Sequence, residues 1–281
     1  MKCFYHSADL DGHCSGAIVN NMFFDCQMIG INYGDPFPFD SIEQGEEVYM
    51  VDFCLQPFSD MVKLNELCNL HWIDHHKTAI DEAHKQGFIA NGGQFLEIGK
   101  AGCELTWEYI YPESILPRSV YLLGRYDVWD HVADESVLPF QYGMRQYPVT
   151  LPSNRELWDT LFNSILLIAD IVSVGRTILS YESNQNKKFC QAYSFETEFG
   201  GHKAICANRG FTNSQLFDSV YDESKHDLMI TFIRKHKAGS WIVSLYSTKE
   251  SIDCGALAKD HGGGGHKGAA GFQCKEIPFR V

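Results

Sequence analysis

The stretch Val48-Tyr49-Met50-Val51-Asp52-Phe53 is apolar at almost every position and breaks only at an aspartate. Side chains alternate across a strand, so continuous apolarity requires both faces to be covered. That is the pattern of a parallel sheet flanked by helices. Neighbouring segments repeat the rhythm. Lys2 to Tyr5 reads as a first strand, Gln27 to Tyr33 as a second and Leu70 to Ile73 as a fourth. Gly12 to Phe24 is expected as a helix with Ala17, Ile18 and Met22 toward the core. Pro57 to Cys68 is expected as another, with Phe58, Met61, Val62, Leu64 and Leu67 on one face. His6 to Gly12 reads as a loop, as does Gly34 to Phe39, where two prolines fix the backbone and remove donors. The resulting β-α-β-β-α-β order predicts a parallel, helix-covered sheet.

Ligands of such sheets bind outside the carboxyl ends of the strands. Three polar groups fall at those ends: His6-Ser7-Ala8-Asp9-Leu10-Asp11-Gly12, Asp52, and Asp74-His75-His76. A single aspartate at a strand end is ordinarily a helix cap or turn residue. Taken together, the groups supply more imidazole and carboxylate than caps require. With Asp127 from Asp127-Val128-Trp129-Asp130, the candidate ligands are His6, Asp9, Asp11, Asp52, Asp74, His75, His76 and Asp127. Imidazole and carboxylate without thiolate suit Mn²⁺, Mg²⁺ or Fe²⁺ better than a structural zinc. The number also exceeds the needs of one ion. Two ions about 3.5–4 Å apart, bridged by a carboxylate, would use them.

After about Ala101 the pattern turns helical, over Ala101 to Tyr111 and Ile115 to Tyr126. Pro148 to Pro152 is a break. Asn154 to about Lys188 reads as one or two long helices with Leu161, Ile165, Ile168, Ile171, Val172 and Ile178 on the apolar side. Phe195 to Arg209 reads as a hairpin around Gly200-Gly201. Leu228 to Ile233 and Trp241 to Tyr246 read as strands joined at Lys237-Ala238-Gly239. The expected organisation is a domain over 1–150, a helical linker over 151–192 and a smaller α/β domain over 193–281.

The 281 residues carry a formal net charge of −13, which opposes a grip on long duplex nucleic acid through many phosphates but leaves room for a small anionic substrate. The ten cysteines are scattered through apolar segments with no C-x-x-C, as expected of reduced thiols in a cytoplasmic protein. No run of about 18 apolar residues occurs, so no membrane partner is expected. Met1-Lys2-Cys3-Phe4-Tyr5 runs straight into a polar stretch and is not read as a signal peptide.

These residues resemble the DHH phosphoesterase family, specifically its DHH–DHHA1 branch. The motifs are His6-Ser7-Ala8-Asp9-Leu10-Asp11-Gly12, Val51-Asp52, Asp74-His75-His76, the acid of Arg125-Tyr126-Asp127-Val128-Trp129-Asp130, and Gly262-Gly263-Gly264-Gly265-His266. Within the branch, the stretch Ala101 to Tyr109 and the Tyr-Asp-x-Trp-Asp motif are similar to the NrnB-type oligoribonucleases. The resemblance implies an N-terminal parallel-sheet DHH domain, a helical linker and a smaller α/β DHHA1 domain, with the active site in the interdomain cleft. It implies that His6, Asp9 and Asp52 hold one ion. Asp11, Asp52, His75 and Asp127 would hold the other, with Asp52 bridging. His76 would face the scissile phosphate, and Asp74 would orient a histidine ligand. His266 would reach a substrate phosphate, aided by close backbone approach at Gly264 and Gly265. Arg209 and Arg234 are weaker choices for substrate contacts. Asp130 is expected to be structural, and His71 and His131 to be packed or exposed histidines rather than ligands.

The activity implied is two-metal hydrolysis of phosphodiester bonds in short oligoribonucleotides or linear dinucleotides, with Mn²⁺ first and Mg²⁺ or Fe²⁺ as alternatives. One competing reading is a phosphatase or phosphodiesterase on small nucleotides, such as 3′-phosphoadenosine 5′-phosphate or cyclic nucleotides. Another is a nucleotide-binding protein without turnover. A homodimer is compatible with the pattern.

Overall fold

The structure is a computed structural model that describes residues 1–236 and 239–280; Lys237 and Ala238, expected in a strand connection, lie outside the described residues. The chain divides into two compact units, Met1–Leu179 and Ser180–Val281.

In the first unit, β1 (Lys2–His6), β2 (Gln27–Ile31), β3 (Glu47–Val51), β4 (Asn69–Asp74) and β5 (Gly93–Leu96) form one sheet in the order β2-β1-β3-β4-β5. Every neighbouring pair is parallel. Alternate residues serve alternate faces. Phe4, Val48, Met50, Leu70 and Trp72 pack with Met61 and Leu64 of α2 (Ser59–Leu67) and with Ala79 and Ala83 of α3 (Lys77–Gln86). Cys3, Tyr5, Tyr49, Val51 and Ile73 pack on the other face with Val19 of α1 (Leu10–Met22) and Leu105 of α4 (Gly102–Ile110). Both faces are thus covered, as the apolar run of β3 demands. β1 has β2 on one side and β3 on the other, so successive connections leave in opposite directions between β1 and β3. That is the switch point where such sheets open a crevice.

A second layer of helices lies over α1 and α4. It contains α5 (Arg118–Asp127), α6 (Val137–Met144), α7 (Arg155–Asn163) and the start of α8 (Ile165–Tyr193). α7 and α8 meet at 100°. The helical segment expected as a linker is shared: Leu157, Trp158, Leu161, Ile168, Ile171 and Val172 enter the first core, and Cys190 enters the second. Among the described residues no single helix is long and apolar enough to cross a membrane.

The second unit contains a sheet in the order β10-β11-β9-β8-β7-β6. Its strands are β6 (Phe195–Phe199), β7 (His202–Asn208), β8 (Leu228–Lys235), β9 (Ser240–Tyr246), β10 (Gly264–Gly265) and β11 (Ala269–Cys274). Within this sheet, among the described strands, only β7 and β8 pair in parallel. α9 (Cys254–Lys259) covers one face, and Cys190, Leu216 and Phe217 cover part of the other.

Several boundaries differ from expectation. α1 begins at Leu10, so Asp11 and Gly12 are helical rather than in a loop, because Asp9 already supplies the cap. Met22 and Ile165 are exposed, since each sits at a helix end beyond the packed layer. α3, α6, α9 and β5 went unread. Each is short, and α3 hides only Ala79, Ile80 and Ala83, too few to make a readable stripe.

Candidate metal centre

Each strand of the switch point delivers a polar side chain for a local reason. β1 ends at His6, and the chain turns at once into α1. Asp9 Oδ1 accepts a hydrogen bond from the Gly12 N–H at 3.0 Å, while Oδ2 lies 3.2 Å from His6 Nδ1. One oxygen caps the helix and the other faces the site, so the cap and ligand readings of this residue are compatible.

Asp52 follows β3 with φ of 53°, a left-handed conformation that few residues other than glycine tolerate. This bend places the carboxylate between two imidazoles. Oδ2 is 3.6 Å from His6 Nδ1 and Oδ1 is 3.2 Å from His75 Nε2. Oδ1 is buried and accepts no hydrogen bond. The approach of α4 to this bend requires glycine: a Cβ at position 102 would lie 2.6 Å from Asp52 Cβ.

Asp11 sits in the first turn of α1 and is buried. Its two oxygens accept from the Gly102 and Cys103 N–H groups, each at 2.8 Å. These are free donors at the N-terminus of α4, where a negative charge is favoured. His75 Nε2 stands 3.7 Å from Asp11 Oδ2 and 3.4 Å from Asp127 Oδ2, at the last turn of α5. Asp74 ends β4 fully buried. Its Oδ1 accepts from the His75 and His76 N–H groups at 2.7 and 3.2 Å and meets His76 Nδ1 at 2.6 Å. The imidazole that Asp74 orients is therefore that of His76. His76 in turn lies 4.0 Å from Asp52 Oδ1.

Three overlapping sets of ligand atoms result: His6, Asp9 and Asp52; Asp52, His75 and His76; and Asp11, His75 and Asp127. Asp52 and His75 each belong to two sets. Burial and mutual repulsion set their protonation. Burial, with Asp11 nearby, pushes the Asp52 and Asp127 carboxyls well above the usual range. Burial disfavours a charged His6, yet hydrogen bonds with Asp52 and Asp9 outweigh it and push its pKa up to about 10. His75 and His76 are raised against burial by Asp11 and Asp127 and by Asp74 respectively. Asp9 and Asp74 are lowered against burial, chiefly by His6 and by His76. Protons on the histidines thus offset the acids. The donor set and the orphaned Asp52 oxygen fit hard divalent cations, which would take the place of those protons.

A measurable consequence follows from His6. Its folded pKa lies above the unfolded value of about 6.5, so its contribution to metal-free stability is complete below about pH 6.5 and is lost as pH rises through the folded value. At pH 7.5 the imidazole is protonated, and a cation must displace that proton. Mn²⁺ binding at pH 7.5 is expected to release at least one proton per chain, that of His6, read as a buffer-dependent enthalpy in calorimetry. Binding with no proton release would exclude His6 as a ligand.

One supporting group was not legible as part of the site. Glu104 is buried, accepts from the Ala101 N–H at 3.0 Å and pairs with the Arg125 guanidinium. Arg125 also reaches Asp130 at 3.4 Å. This brace ties the α4 N-terminus that holds Asp11 to the helix that ends in Asp127. The readable signal is a glutamate three residues after the helix start, as in a capping box. His71 is structural, between Glu47 and Tyr109 at 2.7 Å each.

His266, Gly264, Gly265, Arg209 and Arg234 belong to the second unit. Gly264 and Gly265 pair with Gly271 and Ala270, and a tight turn closes with the His266 N–H donating to Ala269 O at 2.8 Å. The glycine run has a packing reason of its own, since a Cβ at Gly263 would lie 2.1 Å from Gly271 O. Around Gly264, by contrast, there is open space. His266 is exposed. Arg209 lies over the Phe189 ring at 4.9 Å, and Arg234 is exposed on β8 beside Trp241.

Comparison with known proteins bears on the fold. Residues 214–279 match the family model of the DHHA1 domain. An uncharacterised protein of Acanthamoeba polyphaga mimivirus is 24% identical over 238 residues, covering 82% of this chain and 53% of the relative. The chain thus spans about half the length of the curated relative it matches. Among solved structures, the pGpG-specific phosphodiesterase PggH of Vibrio cholerae superposes with a TM-score of 0.54 at 14% identity, over 97% of this chain and 92% of the other. The DHH domain of a protein assigned to a family of ribosomal proteins gives 0.55 at 13%, over 97% and 82%. An exopolyphosphatase-related protein from Bacteroides fragilis gives 0.53 at 13%, over 98% and 87%. These likenesses establish the fold.

Proposed function

We propose that this chain, a DHHA1-domain protein with the fold of DHH phosphoesterases, is a two-metal phosphodiesterase acting on short oligoribonucleotides or linear dinucleotides. The observation that carries the reading is the buried, hydrogen-bond-free Oδ1 of Asp52, set between overlapping ligand sets that share Asp52 and His75. His6, Asp9 and Asp52 would hold one divalent cation and Asp11, Asp52, His75 and Asp127 a second, with Mn²⁺ the leading choice. When bound, such a pair polarises a phosphoryl oxygen and the attacking water. The chain's own residues do the rest. The α4 amides fix Asp11, and the strained Asp52 backbone fixes the shared carboxylate before substrate arrives. Asp74 holds His76 by its Nδ1 and so orients the imidazole that would meet a phosphate oxygen. His266, Gly264 and Gly265, with Arg209 and Arg234, would bind substrate from the DHHA1 unit.

The net charge of −13 favours a short ligand, because a long polymer would meet repulsion over the rest of the surface. PggH, named for activity on pGpG, supports a linear dinucleotide in particular. The test is an initial-rate panel with Mn²⁺ or Mg²⁺ over RNA dimers, longer RNA, cyclic nucleotides, 3′,5′-bisphosphates and polyphosphate. Dimers are expected to give the highest kcat/KM. Preference for a bisphosphate or cyclic nucleotide would replace the proposal with the small-nucleotide reading. Mn²⁺ binding without turnover of any phosphoester would leave a nucleotide-binding protein.

A further inference from the structure

Two partly exposed aromatic residues adjoin candidate ligands, Tyr33 against His6 in space and Trp129 two residues after Asp127 in sequence, and neither offers an atom that would hold a cation. Tyr33 stands at the His6 end of the centre. The ring is edge-on to His6 at 5.8 Å and backed by Phe53 at 4.6 Å, and 48% of the residue remains exposed. A closed turn just after β2 holds it in place. The Tyr33 N–H donates to Asn32 Oδ1 at 2.8 Å, and the Asn32 N–H donates to Asp35 Oδ2 at 2.9 Å.

Trp129 follows the Asp127 end by two residues along the chain and is 43% exposed. Its backbone closes α5 with φ of 59°, the helix-terminating conformation for which glycine is the usual residue. The turn is fastened by N–H bonds from Trp129 to Tyr126 O at 3.0 Å and from Asp130 to Arg125 O at 2.7 Å. The indole meets the Tyr126 and His131 rings edge-on at 5.6 and 5.0 Å. A bulky, 43% exposed side chain where glycine is easiest is costly for stability, and such outliers cluster at functional sites.

His6, Asp52, His75 and Asp127 follow one another across the centre at 3.6, 3.2 and 3.4 Å. The Tyr33 ring neighbours the His6 end of this row in space, and Trp129 follows its Asp127 end two residues on in the chain. A phosphodiester held by cations at the shared carboxylate would have one nucleoside on each side. We infer that Tyr33 and Trp129 are stacking platforms for the two bases flanking the scissile phosphate, which selects a linear dinucleotide unit over a mononucleotide or polyphosphate. This inference rests on the phosphodiesterase reading. Stacking on an aromatic accepts any base, so the pair would measure length more than sequence.

The experiment compares kcat/KM on a linear ribodinucleotide with that on analogues lacking either base, for wild type, Tyr33→Phe, Tyr33→Ala and Trp129→Gly. Wild type is expected to prefer the full dinucleotide over each abasic analogue by about tenfold or more per base. Tyr33→Ala should collapse the preference for one base and Trp129→Gly that for the other, while Tyr33→Phe retains it. Trp129→Gly relieves the left-handed strain, so it should melt no lower than wild type, which separates stacking from folding. Losses equal on full and abasic substrates, or a wild type indifferent to both bases, would overturn the platform assignment and leave the phosphodiesterase reading standing. A wild type inactive on every phosphodiester would overturn both.

Discussion

Asp52→Asn should lower Mn²⁺-dependent phosphodiester hydrolysis by about 10²–10³-fold or more, the scale of losing one preorganised electrostatic group. The same change should not destabilise the metal-free protein. Asp52 is buried among acids, and burial with Asp11 already holds its carboxyl toward the neutral form. An acid whose folded pKa is raised contributes stability below its unfolded value, and this is lost as pH rises through the folded value. At neutral pH the native aspartate therefore works against folding, and asparagine removes that penalty. Melting in chelator at pH 7.5 is expected to show the variant equal to wild type or higher. Adding Mn²⁺ should stabilise wild type and have much less effect on the variant. Full activity in Asp52→Asn would remove the shared carboxylate from the account.

Arg125→Ala should have the largest effect on stability. The guanidinium is the charged partner of buried Glu104, whose carboxylate also caps the N-terminus of α4. Removing one member of a buried pair strands the other, at a cost of about 3–5 kcal/mol. Urea unfolding would read this directly. Glu104→Gln combined with Arg125→Met should recover part of the loss, because no charge is then left alone. Hydrolysis by the double variant should remain below wild type, since the brace also fastens the turn after Asp127. Recovery of stability and activity together would confine Glu104 and Arg125 to folding.

Much of the first unit was legible because its physics is local. The apolar run of β3 announces a sheet covered on both faces, and the acids and histidines at the strand ends follow from how such sheets bind ligands. The hairpin at Gly200-Gly201 was readable for the same reason, with positive φ at both glycines. The unread parts depend on partners distant in sequence. Asp11 is anchored by amides about ninety residues away, and nothing near Asp11 announces them. Arg125 reads as an ordinary helix residue until Glu104 is placed beside it. The division of labour within Asp74-His75-His76 also needed coordinates, because spacing alone does not say which imidazole the aspartate orients. Trp129 was visible within a motif, but its left-handed backbone was not.

On this proposal His6, Asp9, Asp11, Asp52, His75 and Asp127 form one centre that needs divalent cations to cleave a phosphodiester. The most direct measurement strips the protein with chelator, titrates Mn²⁺ back and follows hydrolysis of a linear ribodinucleotide against the number of ions bound per chain. The stripped protein is expected to show no turnover, and activity is expected to rise only as the second equivalent binds. Turnover in the stripped protein, or full activity at one equivalent, would contradict the proposal.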